Sequence, residues 1–400
     1  NALIVLWAAV TYILWGMVYT VGDIPLWGIT ALMSEDDSDR AKLLSLAQIA
    51  GGIGGGIAVL TVQPAALELG KNLKHLFTST ASASAAAAGE RMGFIATAAG
   101  FGLAGCALMQ LVGIFSRERI PPSKEKHTLK ENFALMWTNK PFRQILLSGL
   151  MGSPRYLLFL AAMPLISYYY SGKNPSMAFV YIVILGGGMF GGQFFAMAIA
   201  PRLLKRFKKK DLYNYSNLLS AIPFACIFLL YLSAPQQLTQ PLYTAASFVL
   251  FALSGAANGL TTVLISFMIA DAVDYEEYQN GIRPDAVFFS GQTFMVKLGT
   301  GIATLLSGIA YSMVGFSDAA VRELNDFIDR GGIPRLTEEY APYMAVLFFL
   351  ISVPPAVGGI LSVIPTWHYS LSDEEHSDIL VQLNRRRHGA QAEETGEILK

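Results

Sequence analysis

Long apolar runs recur along the whole of this 400-residue chain, and they restrict it to a helical membrane bundle. Hydrophobic residues make up 53% of the chain and charged residues only 14%, whereas a soluble domain carries roughly 25% charged residues. The runs are long enough for helices that cross about 30 Å of hydrocarbon. Nine spans are predicted, at about 2–33, 41–64, 92–115, 143–170, 176–200, 213–234, 241–272, 286–314 and 342–366. We therefore expect an all-α polytopic membrane protein.

Charge and cysteine content exclude several classes of function. The formal net charge is zero at pH 7, which argues against a nucleic-acid partner. The two cysteines, Cys106 and Cys226, lie in separate apolar runs without metal or redox spacing. All five histidines fall in loops or at span edges, so the sequence offers no nucleophile–base pair or metal cluster. We expect neither an enzyme nor a cofactor.

Basic residues set the expected orientation. Twenty lysines and arginines lie on one side of the predicted spans, and seven lie on the other. The first side includes the loops at 116–141 and 201–211 and the tail from 367. By the positive-inside rule this side is cytoplasmic. We expect a cell-membrane protein with its C-terminus inside and Asn1 outside.

Connecting segments and glycine pairs suggest how the spans are organised. The loop 116–141 contains Pro121-Pro122 and an amphipathic stretch from Leu129 to Trp137, and 317–330 has the pattern of an amphipathic surface helix. Small residues four apart allow helix backbones to approach closely in a membrane. Such pairs occur at Gly51/Gly55, Gly52/Gly56, Gly187/Gly191, Gly188/Gly192 and Gly255/Gly259.

Three charged residues lie deep inside predicted spans: Asp23, Arg155 and Lys297. Counted at about 1.5 Å per residue, they lie roughly 15, 20 and 17 Å from the cytoplasmic ends of their spans. A charge at that depth is costly and marks a solute or ion path by default, and secondary transporters bind their substrates near the midplane. These residues indicate a transporter. A purely structural Asp23–Lys297 ion pair is the alternative.

Helical spacing groups other residues with these charges. Tyr19, Asp23 and Trp27 follow at i, i+4 and i+8 and share a face, with Thr20 three residues before Asp23. Pro25 removes the backbone donor for the carbonyl of Val21. On the Lys297 helix, Thr293 and Thr300 share its face.

The segment from Ala270 to Tyr278 is acidic and is followed by Arg283. Its acids could pair with basic residues at other cytoplasmic helix ends, such as Arg40 and Arg202, and so close a gate. Spacing alone also fits a solvated helix end, where an isolated surface pair contributes only about 0–1 kcal/mol.

Two motifs resemble one known family. The family is the glycoside–pentoside–hexuronide:cation symporters of the major facilitator superfamily. Its fourth helix resembles Val10 to Thr20 with Asp23-Ile24-Pro25-Leu26-Trp27. Its tenth and eleventh helices resemble Ala270 to Tyr278 with Gln292-Thr293 and Val296-Lys297. The resemblance implies a helical bundle of which nine of twelve helices, the fourth to the twelfth, are present, with the N-terminal helices missing. The implied divisions are 1–115, three helices of the N-terminal bundle; 116–141, the central loop; 142–366, the six-helix C-terminal bundle; and 367–400, the cytoplasmic tail.

The resemblance also implies residue roles. Asp23 and Trp27 match sugar-binding positions, with Tyr19 beside them. Thr20 matches a cation-site hydroxyl, and Lys297 matches the lysine that links the cation and sugar sites. The residues that match the cytoplasmic gate are Arg40, Arg202, Asp271, Asp274, Glu277 and Arg283. The implied coupling ion is Na⁺ or H⁺, and no other metal is expected.

This chain departs from the family pattern at several positions. Gln48 stands where the family has a sugar-contacting arginine, and Thr262 where it has an aromatic residue. The acidic pair of the second helix is absent from the chain, so the coupling ion stays open. Arg155 could supply the lost guanidinium from another helix. Arg155 is therefore a predicted substrate-binding residue. Thr293, which shares a helix face with Lys297, is a further one.

Several functions remain open from the sequence. The first is cation-coupled symport of a sugar or glycoside by a monomeric carrier with alternating access. Excess positive charge in the visible membrane core favours, as an alternative, a carrier of anionic sugars such as hexuronides or sulfonated sugars. A sugar sensor that does not transport is a further alternative, and a lysolipid carrier a more distant one.

Overall fold

The computed structural model describes residues 2–34, 37–73, 83–117, 128–172 and 174–398, and all regular structure in these ranges is helical. The α-helices are α1 (Ala2–Leu32), α2 (Asp37–Leu73), α3 (Ala83–Phe115), α4 (Leu129–Thr138), α5 (Lys140–Met151), α6 (Leu157–Leu165), α7 (Pro175–Tyr181), α8 (Gly187–Leu203), α9 (Lys209–Ser233), α10 (Pro241–Asn280), α11 (Asp285–Met313), α12 (Asp318–Asp329), α13 (Ala341–Thr366) and α14 (Asp373–Ile398). The prediction of an all-α protein is confirmed for the described ranges.

The chain forms two compact units, an N-terminal unit, Asn1–Pro121, and a C-terminal unit, Pro122–Lys400. The first contains α1 to α3 and the second α4 to α14. The division lies within the predicted central loop. Inside that loop the amphipathic stretch forms α4, which begins with a capping box: Thr128 Oγ1 accepts from the Glu131 backbone, and the Glu131 side chain accepts from the Thr128 backbone.

Seven helices in the described ranges are long and apolar enough to cross a membrane, or eight if one bent pair counts as a span. They are Ala9–Trp27, Arg91–Phe115, Ser176–Leu203, Lys209–Ser233, Pro241–Asn280, Asp285–Met313 and Glu338–Thr366, with the bent pair Lys140–Met151 and Ser153–Tyr170. The remaining predicted span, 41–64, lies within the 37-residue helix α2, which is not among these seven.

The predicted span 143–170 is broken rather than continuous. A 3-10 turn at Ser153–Tyr156 separates α5 from α6, and the axis bends there by 46°. Pro154 explains the break, because it lacks a backbone donor and its ring clashes with the preceding helical turn. The break places Arg155 in the 3-10 turn, where its side chain bonds to the carbonyl oxygen of the buried Gly152.

Glycines hold two helices of the C-terminal unit in close contact. A Cβ at Gly192 would lie 2.0 Å from the Ala252 carbonyl oxygen, and one at Gly255 would lie 1.9 Å from the Met189 carbonyl oxygen. Gly259 faces the Gln193 backbone in the same way. The close approach predicted from these small residues is therefore confirmed for α8 and α10. Among the described residues, no other part of the chain comes within 4 Å of a Cβ built at Gly51 or Gly55.

Two short segments outside the spans are also helical. The amphipathic pattern at 317–330 forms α12, with Leu324 and Ile328 buried and Ser317 as its N-cap. The tail, predicted only as a charged segment, folds into the helix α14. Its first turn carries Asp373, Glu374 and Glu375, acids that stabilise a helix N-terminus through its dipole.

Candidate functional site

In the N-terminal unit, one face of α1 carries a hydrogen-bonded group of an acid and two aromatic residues. Tyr19 Oη donates to Asp23 Oδ1 at 3.1 Å, and Trp27 Nε1 donates to the same oxygen at 3.2 Å. The three residues follow at i, i+4 and i+8, so the predicted shared face is confirmed. The Tyr19 side chain is 47% exposed, while Asp23 and Trp27 are half-buried. A carboxylate beside an indole ring is a chemistry that suits a polar solute with an apolar face.

Two residues beside this group, Thr20 and Pro25, change the hydrogen bonding of the α1 backbone. Thr20 Oγ1 donates to the Met17 carbonyl oxygen at 2.7 Å, which leaves the lone pairs of Oγ1 able to face a cation. Pro25 lies inside α1 and supplies no donor to the carbonyl of Val21. Both features provide oxygen ligands of the type that alkali cations accept.

In the C-terminal unit, Arg155 is held by neutral groups. Its Nε donates to the Gly152 carbonyl oxygen at 3.0 Å, and its Nη2 donates to Asn217 Oδ1 at 2.8 Å. Among the described residues of this unit, no carboxylate forms an ion pair with the guanidinium. A cleft beside it is also lined by Ser220, Asn258 and Thr261. This arrangement offers a cation and amide and hydroxyl groups to a small polar ligand.

Helix α11 carries the other predicted intramembrane residues. It runs unbroken from Asp285 to Met313, so Thr293, Lys297 and Thr300 stay on one face. Lys297 is exposed and Thr293 is partly buried. Thr300 Oγ1 donates to the Val296 carbonyl oxygen at 2.8 Å.

The end of α10 in the C-terminal unit is acidic. We call Asp271, Asp274 and Glu277 the α10 acid cluster. Arg283 Nη1 lies 2.7 Å from Asp274 Oδ1 and 2.6 Å from Glu277 Oε2. Its Nε lies 3.0 Å from Asp285 Oδ2, an ion-pair distance without hydrogen-bond alignment. Asp271 and Asp274 are 4% and 0% exposed, so the interpretation as a solvated helix end is wrong.

The charges around Arg283 fix its protonation state. Burial alone would lower the pKa of Arg283, but Asp274, Asp285 and Glu277 act in the opposite direction and raise it above the ordinary value. The guanidinium therefore stays charged at every physiological pH, and Arg283 is a permanent bridge between three carboxylates.

The structure changes the predicted set of basic partners. Arg202 is exposed and forms no ion pair with the cluster among the described residues, while the side chain of Arg40 lies outside the described residues. Instead, Lys209 Nζ pairs with Asp271 at 2.8 Å. Lys209 and Arg202 both lie in the basic stretch predicted at 201–211, so the structure pairs the cluster with another residue of that stretch.

Two further residues contact this region, and no local sequence pattern predicted either of them. His376 of α14 places its Nε2 3.1 Å from Asp274 Oδ2 and 3.5 Å from Asp271 Oδ1. Asn139, which caps α5, donates through Nδ2 to the Ala272 carbonyl oxygen and to Glu276 Oε2, at 3.2 and 2.8 Å. The end of α10 thus contacts the start of α5, α9 and α14.

A carboxylate beside aromatic rings inside an apolar helix is typical of a site that binds a polar solute within a membrane. The chain belongs to the MFS/sugar transport protein family, whose model matches residues 1–373. The family resemblance predicted from the motifs of α1, α10 and α11 is confirmed by this match.

Several proteins similar to this chain are transporters and symporters of bacteria. The chain is 25% identical to "Uncharacterized symporter YjmB" of Bacillus subtilis (strain 168), over 95% of this chain and 73% of that protein. It is 24% identical to "Isoprimeverose transporter" of Lactiplantibacillus pentosus, over 78% and 60%. It is 22% identical to "Inner membrane symporter YicJ" of Escherichia coli (strain K12), over 98% and 75%. The names of these relatives agree with a role in transport.

Proposed function

We propose that the protein is a secondary active transporter that carries a sugar or glycoside together with Na⁺ or H⁺ by alternating access. The observation that carries the proposal is the α1 face, where Tyr19 and Trp27 both donate to Asp23. In a span this apolar, a carboxylate oriented by two aromatic donors can accept sugar hydroxyls while the indole covers the apolar side of the ring. Membership of a sugar transport family supports it.

The proposal assigns roles in both units. Within the N-terminal unit, substrate binding is assigned to Asp23, Trp27 and Tyr19. Within the C-terminal unit, it is assigned to Arg155 and Thr293. Thr20 and Lys297 serve the coupling ion. The gate comprises the α10 acid cluster with Arg283, and we keep Arg40 and Arg202 as basic partners for another conformational state.

The proposal also includes topology. We propose that the spans correspond to the fourth to twelfth helices of a twelve-helix carrier, that the C-terminus is cytoplasmic, and that the carrier works as a monomer. The similar proteins extend beyond the matched region, since the chain covers 60% to 75% of their lengths. Cysteine labelling of α14 from either side of the membrane tests the orientation.

The test of transport uses the full-length gene product in energised membrane vesicles. Uptake of neutral and acidic glycosides is followed with an imposed Na⁺ gradient and then with an H⁺ gradient. We expect accumulation driven by one of the gradients, and we expect Asp23→Asn to abolish it. Loss of a charge-assisted hydrogen bond costs about 1.5–3 kcal/mol, or roughly 10–100-fold in substrate affinity.

The matched control is Asp326→Asn, which removes an exposed carboxylate on α12 outside the proposed machinery. It should leave uptake unchanged. Binding without accumulation under either gradient would contradict symport and favour a sugar sensor. Equal uptake by wild type and Asp23→Asn would remove Asp23 from the substrate path.

One observation favours a second candidate, a carrier of anionic sugars. In the described part of the C-terminal unit, the Arg155 guanidinium bonds to a carbonyl and an amide and to no carboxylate. A carboxylate or sulfonate on the substrate would provide the missing counter-charge, and a guanidinium binds such groups in a bidentate way.

A further inference from the structure

Helix α14 lies on the end of α10 through one row of side chains. His376, Ile379 and Leu383 follow at i, i+3 and i+7 and share a face. All three are buried, at 2%, 4% and 2% exposure. The two apolar residues belong to a cluster with Tyr275 and Tyr278 of α10. The contact between the two helices therefore combines an apolar surface with one buried titratable group.

His376 faces two carboxylates at once. Its Nε2 is 3.1 Å from Asp274 and 3.5 Å from Asp271, while the same two acids also contact Arg283 and Lys209. An imidazolium in this position attracts both carboxylates in a site that excludes water. A neutral imidazole can still donate from Nε2, but it loses the charge that makes the contact strong.

Other charged and titratable groups lie around this contact. On α10 and the following loop they are Tyr275, Glu276, Glu277, Tyr278, Arg283 and Asp285; on α9 and the loop before it, Lys209 and Lys208; on α14 and the segment before it, Tyr369, Asp373, Glu374, Glu375 and Arg386. Two of them also join the helices: Asp373 Oδ2 accepts from the Lys209 backbone at 2.9 Å, and Arg386 Nη1 donates to the Tyr278 carbonyl oxygen at 3.1 Å.

We propose that His376 is a proton-operated latch: as imidazolium it holds α14 on the α10 acid cluster, and as neutral imidazole it lets the helix detach. The proton is thus the ligand of a site formed by His376, Asp271 and Asp274. Detachment would uncover the carboxylates that the proposed gate uses. Assigning the latch to the cytoplasm rests on the proposed orientation, whereas the docking itself rests on the contacts above.

The direction of the pH dependence follows from these neighbours. Burial acts to lower the pKa of His376, but the charge of Asp271 and the hydrogen bond with Asp274 outweigh both burial and Lys209, and the pKa is raised above its ordinary value of 6.5. A raised pKa in the docked form means that docking is strongest below about pH 6.5 and weakens as the pH rises through the docked value. Each unit of that shift changes the docking equilibrium about ten-fold.

The test measures docking directly in the full-length protein in lipid nanodiscs. All native cysteines, Cys106 and Cys226 among them, are replaced by serine, and one cysteine is introduced at Leu383 or at Val381. Leu383 is 2% exposed and Val381 is 49% exposed on the same helix. The ratio of their labelling rates with N-ethylmaleimide between pH 6 and pH 8.5 cancels the pH dependence of thiol chemistry.

We expect the Leu383→Cys to Val381→Cys ratio to rise across this range, by about ten-fold for each unit by which docking raises the pKa of His376. In His376→Gln, which keeps a donor but cannot be charged, the ratio should be high and flat. The control His368→Gln changes an exposed histidine outside the contact and should behave as wild type. A flat wild-type ratio, or a pH-dependent ratio in His376→Gln, would overturn the latch.

A second measurement guards against effects of the introduced cysteines. Hydrogen exchange of residues 373–383 in the unmodified protein, corrected for intrinsic rates, should accelerate with pH in wild type. If His376→Gln fails to fold, this wild-type exchange decides the question alone. Uptake is assayed separately, so loss of transport with normal tail docking would count against the proposed function and not against the latch.

Discussion

Arg283 and Arg155 belong to the same unit but lie in opposite electrostatic surroundings. Arg283 is 4% exposed in its side chain and pairs with Asp274, Glu277 and Asp285. Arg155 is half-buried and is held by the Gly152 carbonyl and the Asn217 amide. A guanidinium whose charge is neutralised by carboxylates of the protein has no charge left over for a bound ligand. One that is positioned by neutral groups keeps its charge available for something that binds.

The largest expected effect comes from Arg283→Gln. Removing one partner of a buried ion pair leaves an uncompensated charge and costs about 3–5 kcal/mol. Here three carboxylates lose their shared cation, so we expect a value at the upper end or failure to fold. Thermal unfolding of the purified full-length protein in detergent measures it. A loss below about 1 kcal/mol would show that the cluster is not a structural element.

Arg155→Gln should separate function from stability. The protein loses hydrogen bonds from the charged guanidinium to neutral acceptors, each contributing about 1.5–3 kcal/mol, but among the described residues of this unit no carboxylate loses an ion-pair partner. If the substrate is anionic, affinity for acidic glycosides should fall roughly 10–100-fold, as expected for a charge-assisted hydrogen bond, while neutral glycosides change little. Uptake competition with acidic and neutral sugars checks this.

Arg155→Lys is the matched variant for that experiment. It keeps the charge but loses the planar fork that binds an anion in a bidentate way, so an intermediate affinity is expected. An equal loss for neutral and acidic sugars in Arg155→Gln would contradict the anionic candidate, and a large loss of thermal stability would make Arg155 a structural residue.

The two arginines also show how far the sequence could predict the site. Hydropathy located seven or eight of the nine predicted spans. The i, i+4 and i+8 spacing of Tyr19, Asp23 and Trp27 placed them on one face, because both signals are local. The glycine spacing predicted the approach of α8 and α10. In α2, glycines with the same spacing, Gly51 and Gly55, are not in close contact with another helix in the described part of the chain, because spacing permits contact but does not select a partner.

The remaining features depend on contacts between distant parts of the chain. Lys209 and Asp271 are 62 residues apart, and His376 and Asp274 are 102 residues apart. Nothing in the local pattern of 202–210 distinguishes Lys209 from Arg202. The tail was predicted only as a charged segment, because it lacks a strong apolar periodicity. Its helix is stabilised instead by the burial of His376, Ile379 and Leu383 against α10. The break at Pro154 had a local signal, yet hydropathy over 143–170 concealed it.

The smallest expected effect isolates what burial contributes. Lys208 Nζ lies 2.8 Å from Glu374 Oε1, almost the same separation as the 2.7 Å between Arg283 and Asp274, and it also joins the loop before α9 to α14. The side chains of Lys208 and Glu374 are 59% and 66% exposed, so water and salt screen their attraction. Holding two long side chains in one geometry also costs conformational entropy. Lys208→Gln should therefore leave thermal unfolding and the tail-labelling ratio unchanged at physiological salt. A measurable loss would mean that ion-pair distance, and not the burial that distinguishes Arg283, governs how strongly charges hold this unit together.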